Sequence, residues 1–285
     1  MSTCTLLTGG GGFLGRHLLR HLRRRNVAVR LVLRSGHALA DAAADGCQIL
    51  ETPDLFDENE DWWADACAGV DTVIHSAWFT QPGTYLHSPR NIDCLVGTLR
   101  LAQGALRAGV RRFIGIGTCL EYELGGSAPV GINVPLRPRT PYASAKAAAY
   151  LALSGAMAGQ GTQFVWCRLF YLHGEGEDPR RLVPYLHRCM AEGVPASLSS
   201  GTQVRDYLDV AESAGQVVDV ALGTGTGPFN VCSGRPVSVR ALAERIADSY
   251  GRRDLLRFGD RPDLADEPEH VVGICNVPPA TREGA

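Results

Sequence analysis

Apolar residues in this chain follow two rhythms, and the way they alternate sets the expected architecture. Short, nearly continuous apolar runs fall at 3–8, 27–33, 47–51, 72–76 and 163–170, with another in the stretch RRFIGIGTC at 111–119. Runs of this length, rich in Val, Ile, Leu and Phe, read as strands buried on both faces. Between them lie segments with helical spacing. One starts at Phe13, one covers 91–109 with Ile92, Leu95, Leu99, Ala102 and Leu106 on a stripe, and one covers 142–158. Strands alternating with helices in this way predict an α/β fold, a parallel sheet doubly wound with helices on both faces.

Beyond Phe170 the pattern changes. The chain becomes richer in Pro, Gly and charge, with helices expected at 180–192 and 210–222, a strand at 228–233 and a helix at 238–250. This predicts a main domain over 1–170 and a smaller C-terminal lobe over 171–285, with the strand and helix near 228–250 returning to the main sheet. Gly201, Thr202 and Gln203 read as a turn, and the stretch after Asp260 carries few structural signals.

Composition narrows the function classes. With 285 residues, 45% of them apolar, the chain can bury a proper core, and its net charge of −2 gives no electrostatic case for nucleic acid or an anionic membrane. The arginine clusters at 23–25 and 111–112 are short and read as solvated charges. No apolar run approaches the ~18 residues that span a bilayer. Nine scattered cysteines without a CxxC pair fit reduced thiols better than a disulfide framework or a metal site. The chain opens directly on its first strand, and these features together predict a cytoplasmic protein with no metal.

The chemistry begins at Gly9, Gly12 and Gly15, spaced G-x-x-G-x-x-G between the first strand and the first helix. Glycines there bring backbone N–H groups close to a pyrophosphate and let the helix pack on the strand, so the loop predicts dinucleotide binding and a Rossmann-type sheet. The second strand ends Val32-Leu33-Arg34-Ser35. Leucine cannot clasp a ribose diol, whereas Arg34 and Ser35 can hold a 2′-phosphate, which favours NADP(H) over NAD.

Lys146 is the single lysine among 28 basic residues, four positions after Tyr142 at the start of an expected helix. That spacing puts both on one helix face. A phenol is a poor acid–base catalyst at neutral pH, and a compact ammonium beside it is expected to lower its pKa while also bonding ribose hydroxyls. A planar guanidinium places its charge and donors differently.

With these motifs in view, the chain resembles the extended short-chain dehydrogenase/reductase family (NAD-dependent epimerases and dehydratases), whose members mostly modify nucleotide-linked sugars. The likeness spans about residues 3 to 275. TGGGGFLG resembles the cofactor loop and implies that Phe13 and Leu14 join its glycines. PDL at 53–55 resembles the acidic turn that puts Asp54 and Leu55 near the adenine. VDTVIHSAW resembles the fourth-strand motif that sets Ser76 and Ala77 beside the cofactor. The fifth strand implies Thr118 as the hydroxyl that binds the sugar oxygen alongside Tyr142. GTQVRDYLDV implies Arg205 as a ligand of the substrate diphosphate. The resemblance also implies a homodimer paired through helices 91–108 and 142–158.

Departures from the family pattern shape the expected reaction. Dehydratases follow the catalytic threonine with an acid pair, where this chain has Cys119 and Leu120. Leucine cannot abstract a proton, so dehydration is disfavoured. Glu121, one position on, is expected to be structural or to touch a substrate hydroxyl. Tyr171 replaces an asparagine that contacts substrate phosphate, and Trp78, Phe79 and Tyr85 are candidates to line a sugar pocket, while His75 reads as a buried strand residue. The leading expectation is an NADP(H)-dependent reductase of a nucleotide-linked 4-keto-6-deoxy sugar. A 4-epimerase with tightly held NAD and a non-catalytic NADP sensor are the alternatives.

Overall fold

The structure is a computed structural model, and it describes residues 4–36, 46–263 and 267–278. Along the chain run β1 (Cys4–Thr8), α1 (Phe13–Arg24), β2 (Ala28–Arg34), β3 (Gln48–Thr52), α2 (Glu60–Ala66), β4 (Thr72–His75), α3 (Arg90–Arg107), β5 (Arg112–Thr118), α4 (Pro141–Met157) and β6 (Gln163–Leu169). The expected strands and the three longer helices are all present, the expected start at residue 3 lying outside the described residues. Helix α2 escapes the sequence pattern because seven residues are too few to show a stripe. Its signal is local, an Asn59 side chain that accepts the Trp62 N–H at 2.9 Å ahead of Glu60 and Asp61.

The second part contains β7 (Tyr171–His173), α5 (Leu182–Glu192), β8 (Ala196–Leu198), β9 (Val204–Asp209), α6 (Val210–Leu222), β10 (Gly227–Val231), β11 (Pro236–Ser238), α7 (Val239–Ser249), β12 (Leu256–Phe258) and β13 (His270–Val271). Seven parallel strands form the main sheet in the order β10-β6-β5-β4-β1-β2-β3. Neighbours on a strand point to opposite faces, so Leu7 joins Leu18 and Leu22 of α1 and Val217 of α6. Leu6 joins Trp63, Leu101 and Leu153 from α2, α3 and α4.

Two expectations for the second part of the chain need correction. Strand β10 does return to the sheet beside β6, but the helix that accompanies it is α6, which buries Ala214, Val217, Val218 and Ala221 on the face covered by α1. Helix α7 stays in the lobe, because its buried face (Ala243, Ile246, Ala247) is small and matches Leu186 and Met190 of α5. The stretch after Asp260 is not structureless either, since β13 pairs with β9 in a second sheet that also holds β7 and β11. Strands of two or three residues leave no periodicity to read.

Helix α3 is turned relative to the expected stripe. Asn91, Cys94, Thr98, Leu101, Ala102 and Ala105 face inward, and Ile92 is 60% exposed. Arg112 is buried rather than solvated, its guanidinium donating to Gln163 Oε1 and to the carbonyls of Val220 and Gly225. Among the described residues no helix is long and apolar enough to cross a membrane.

Candidate active site

Strand order reverses at β1, with β2 and β3 on one side and β4, β5 and β6 on the other. The loops after β1 and β4 therefore diverge at the carboxyl ends of the strands and open a crevice. A cleft of about 670 Å³ lies there.

One wall is the glycine loop, with Gly9, Gly12, Phe13, Leu14 and Gly15 all lining the cleft. A Cβ on Gly15 would come within 1.9 Å of the Gly9 carbonyl oxygen, so only glycine lets α1 start this close to β1. The helix begins at Gly12 with no capping side chain and no acid in its first turn. Its first N–H groups and its dipole suit an anionic diphosphate, which is the fit a dinucleotide requires. Arg34, exposed at the end of β2, lines the same cleft, as do Asp54, Leu55, Ser76 and Ala77. Asp54 is bonded to Arg90 at 2.5 Å and accepts the Phe56 N–H at 3.1 Å. Ser35 does not join this wall. Its N–H donates to the Thr52 carbonyl at 2.9 Å, and the residue is exposed at the end of the strand, outside the lining.

Thr118, Tyr142 and Lys146 face the cleft from its other side. Helix α4 starts where they need it, with Pro141 in its first turn and the Thr140 hydroxyl accepting the Ala143 N–H at 3.2 Å. The Lys146 ammonium is buried, donates to the Ile116 carbonyl at 2.6 Å and sits 3.7 Å above the Trp78 ring. Burial pulls its pKa down to about 7, against the upward pull of Glu121 and Cys94. Trp78 is itself fixed, because Nε1 donates to Asn91 Oδ1 at 2.9 Å and Asn91 Nδ2 donates to the carbonyls of Tyr85 and Ser88. Tyr142 meets Trp78 and Tyr85 edge to face, with centroids 6.4 and 4.9 Å apart.

The phenol differs from expectation. Burial raises the Tyr142 pKa, Tyr85, Glu121 and Cys119 raise it further, and a hydrogen bond with Thr118 works the other way. In this site Lys146 bonds the Ile116 carbonyl and the Trp78 face, so Tyr142 is a neutral hydroxyl, a form suited to giving a proton.

The model of the NAD dependent epimerase/dehydratase family matches residues 5–232. The chain belongs to that family. A dTDP-6-deoxy-L-talose 4-dehydrogenase (NAD(+)) of Aggregatibacter actinomycetemcomitans is 24% identical over 85% of this chain and 88% of that protein. A dTDP-glucose 4,6-dehydratase of an Actinoplanes strain is 29% identical over 86% and 81%. The fold matches that of Thermus thermophilus UDP-glucose 4-epimerase, solved with NAD, with a TM-score of 0.83 at 23% identity over 96% and 91%.

In this member of the epimerase/dehydratase family, Glu121 does not reach the cleft. It is fully buried behind Thr118, accepting the Thr118 N–H at 2.8 Å, the Trp166 indole N–H at 3.0 Å and Arg168 Nε at 2.7 Å. Arg168 in turn donates to the Tyr122 hydroxyl, which donates to Asn230 Oδ1. Of the two roles expected of Glu121, the structure has the structural one: in place of a substrate contact, a buried ion pair with Arg168 holds the Thr118 turn. The signal for it was present: Thr118 to Glu121 has the S/T-x-x-E spacing of a capping box, and both of its reciprocal bonds form.

His75 is buried between two hydroxyls, 2.8 Å from Thr8 and 2.9 Å from Thr98. The Thr98 hydroxyl already donates to the Cys94 carbonyl, so it accepts from His75 Nε2 and the ring is the neutral Nε2–H form. Burial holds its pKa down at about 3, as a structural residue requires.

Arg205 faces a neighbouring cavity of about 380 Å³, joined to the first through shared Tyr85, Tyr171 and Arg181. Its guanidinium is buried and pairs with Glu267 at 2.6 Å rather than with Asp206 or Asp209. Asp206 instead accepts the backbone N–H groups of Ser233, Gly234 and Gly273. Tyr171 lines both cavities and lies beneath Arg205, 5.2 Å from ring centre to guanidinium. Among the described residues no group of His, Cys, Asp and Glu could hold a metal ion.

Proposed function

We propose that the protein is a cytoplasmic, NADPH-dependent reductase of a nucleotide-linked 4-keto-6-deoxy sugar. One observation carries this reading. Thr118, Tyr142 and Lys146 face the cleft, while Glu121, the carboxylate next to them in sequence, is held beneath it by Arg168. Dehydration needs an acid for the leaving hydroxyl and a base for the C5 proton. The turn after Thr118 offers Cys119, whose thiol burial pushes up to about 12, and Leu120. Reduction of a ketone needs only a proton donor opposite the hydride.

The nicotinamide cofactor, when bound, supplies the hydride. Thr118 and Tyr142 present adjacent hydroxyls to a carbonyl oxygen, and Tyr142 gives up its proton as negative charge develops there. The Lys146 ammonium, one helical turn behind, stabilises the phenolate that remains. The N–H groups at the start of α1 hold the dinucleotide diphosphate. Arg34 favours a 2′-phosphate where buried Leu33 offers no acid for a ribose diol. The talose relative is named a 4-dehydrogenase, which supports C4 ketone/alcohol chemistry, and its name gives NAD(+) as the cofactor; Arg34 is the residue that argues for NADP(H) in this chain. The nucleotide diphosphate takes Arg205 and Arg181, which must exchange their present partners, Glu267 and Glu177.

The test is to mix the purified protein with dTDP- or UDP-linked 4-keto-6-deoxyglucose and either NADPH or NADH. The reading predicts many turnovers, faster with NADPH, and a 4-hydroxy product. No turnover with either sugar nucleotide would overturn it. Stoichiometric retained NAD with inversion at C4 and no net cofactor consumption would make the protein a 4-epimerase instead.

A further inference from the structure

The connection from β4 to α3, residues 76–89, brings Trp78 and Tyr85 to the cleft. Its regular structure is a single turn at Tyr85–His87, and such a connection needs side chains to hold its shape. Asn91, in the first turn of α3 and 1% exposed, supplies that hold. Its Oδ1 accepts the Trp78 Nε1–H at 2.9 Å, and its Nδ2 donates to the carbonyls of Tyr85 at 2.7 Å and Ser88 at 2.9 Å. An indole N–H only donates and a carbonyl only accepts, so these partners fix which way the amide points. Trp78 and Tyr85 thus hang from one buried side chain.

Both rings face the catalytic candidates. The Trp78 ring lies 3.7 Å from Lys146 Nζ and meets Tyr142 edge to face, as Tyr85 does. Behind the indole lie Phe56, with centroids 6.5 Å apart, and buried Cys94. Those contacts are apolar and set how close the ring sits, whereas a hydrogen bond to Nε1 sets how it is turned. The turn matters because a cation is attracted to the face of a ring and not to its edge. Among the described residues Asn91 is the polar partner of that N–H. An ammonium has three donors, and with one on the Ile116 carbonyl and the ring face alongside, Lys146 keeps donor capacity for the cleft it lines. Asn91 belongs to α3 and Lys146 to α4, and the two helices share a core through Leu101, Ala105 and Leu153. The amide therefore ties the ring to the same helix pair that carries the lysine.

We propose that Asn91 is a positioning residue: it turns the Trp78 ring onto the Lys146 ammonium and, through Tyr85, fixes the wall beside the Tyr142 hydroxyl. Asn91 does not line the cleft itself and acts through those two rings. Its effect on turnover rests on the reductase reading given above; its effect on Lys146 does not.

Lys146 is the single lysine of the chain, so the full protein labelled with ε-¹³C lysine gives one side-chain methylene signal in NMR, read without substrate or cofactor. The ring current of the indole is expected to hold its protons upfield of free lysine. Asn91→Leu should move them back toward the free position, and should add little further change in a Trp78→Phe background, where the N–H is already gone. Trp78→Phe keeps a ring without the donor, so it tests the same bond from its other end should Asn91→Leu not fold. With NADPH and a 4-ketosugar nucleotide, kcat of Asn91→Leu should fall ~10–100-fold while KM for the sugar nucleotide changes little. A folded Asn91→Leu protein with the wild-type Lys146 signal would overturn the positioning role, as would a displaced signal with unchanged kcat. Equal displacement by Asn91→Leu with and without the Trp78 indole would overturn it too. A wild type that reduces no ketosugar would count against the reductase reading, since the Lys146 signal still decides whether Asn91 holds the ring.

Discussion

Among the described residues Lys146 has no carboxylate within salt-bridge distance and rests against one carbonyl and one indole face. Its ordinary pKa near ~10.4 is reduced to about 7 by burial, so the ammonium is present below that pH and lost as pH rises through it. NADPH affinity, where it depends on that ammonium, is expected to fall several-fold between about pH 6 and pH 8. Lys146→Met should flatten the profile, and Trp78→Leu, which removes the attraction of the ring for the cation, should move the inflection to lower pH. Calorimetric titration at a series of pH values checks both; a wild-type profile identical to that of the methionine variant would count against the assigned role. At this scale the sequence named Tyr142, Lys146 and Thr118 because residue type and i, i+4 spacing are local. It offers Trp78 as a candidate to line the pocket but not as the ring beneath Lys146. The partners of Trp78, Asn91 and Lys146, are 13 and 68 positions away, and no local pattern links them.

The turn after β5 shows how an element secures the Thr118 hydroxyl at the cleft. Thr118 is fixed by Glu121, Glu121 by Arg168, and Arg168 lies between the rings of Tyr122 and Tyr150. Removing one member of a fully buried ion pair leaves an uncompensated charge. Arg168→Met is therefore expected to cost roughly 3–5 kcal/mol in urea unfolding, and adding Glu121→Gln should recover part of that loss. Equal stability in wild type and Arg168→Met would mean that the pair does not hold the turn. The capping-box spacing was readable in the sequence, but the partnership with Arg168 was not. It depends on β5 lying beside β6 with Gly117 opposite Arg168, a register that apolar periodicity does not report. The seven main strands were legible because each is a dense apolar run. The lobe strands were not, being two to six residues long and held by side-chain bonds such as those of Asp206.

Across the whole molecule, two surfaces remain to be matched with partners. Helices α3 and α4 leave Ile92 and Leu151 each 60% exposed and Val96 39% exposed, beside half-buried Leu95 and Leu99. We propose this face as the seam of a homodimer. Light scattering should find two chains in the wild type and one in Leu151→Asp, and a monomeric wild type at working concentration would remove the assignment. The second surface is the Arg205 cavity, where Glu267 occupies the guanidinium proposed for a substrate diphosphate. Glu267→Gln is expected to lower the inhibition constant of dTDP or UDP several-fold with little change in kcat; weaker inhibition would show that Glu267 supports substrate binding rather than competing with it.

The catalytic reading rests on a neutral phenol in the cleft delivering its proton to a ketone oxygen. Steady-state NADPH oxidation by Tyr142→Phe, with a 4-ketosugar nucleotide at saturation, probes that step alone, since the ring and its contacts with Trp78 and Tyr85 are kept. A fall in kcat of about 10²–10⁴-fold is expected, with NADPH affinity and thermal midpoint unchanged. Undiminished kcat in a folded, cofactor-binding Tyr142→Phe protein would contradict it.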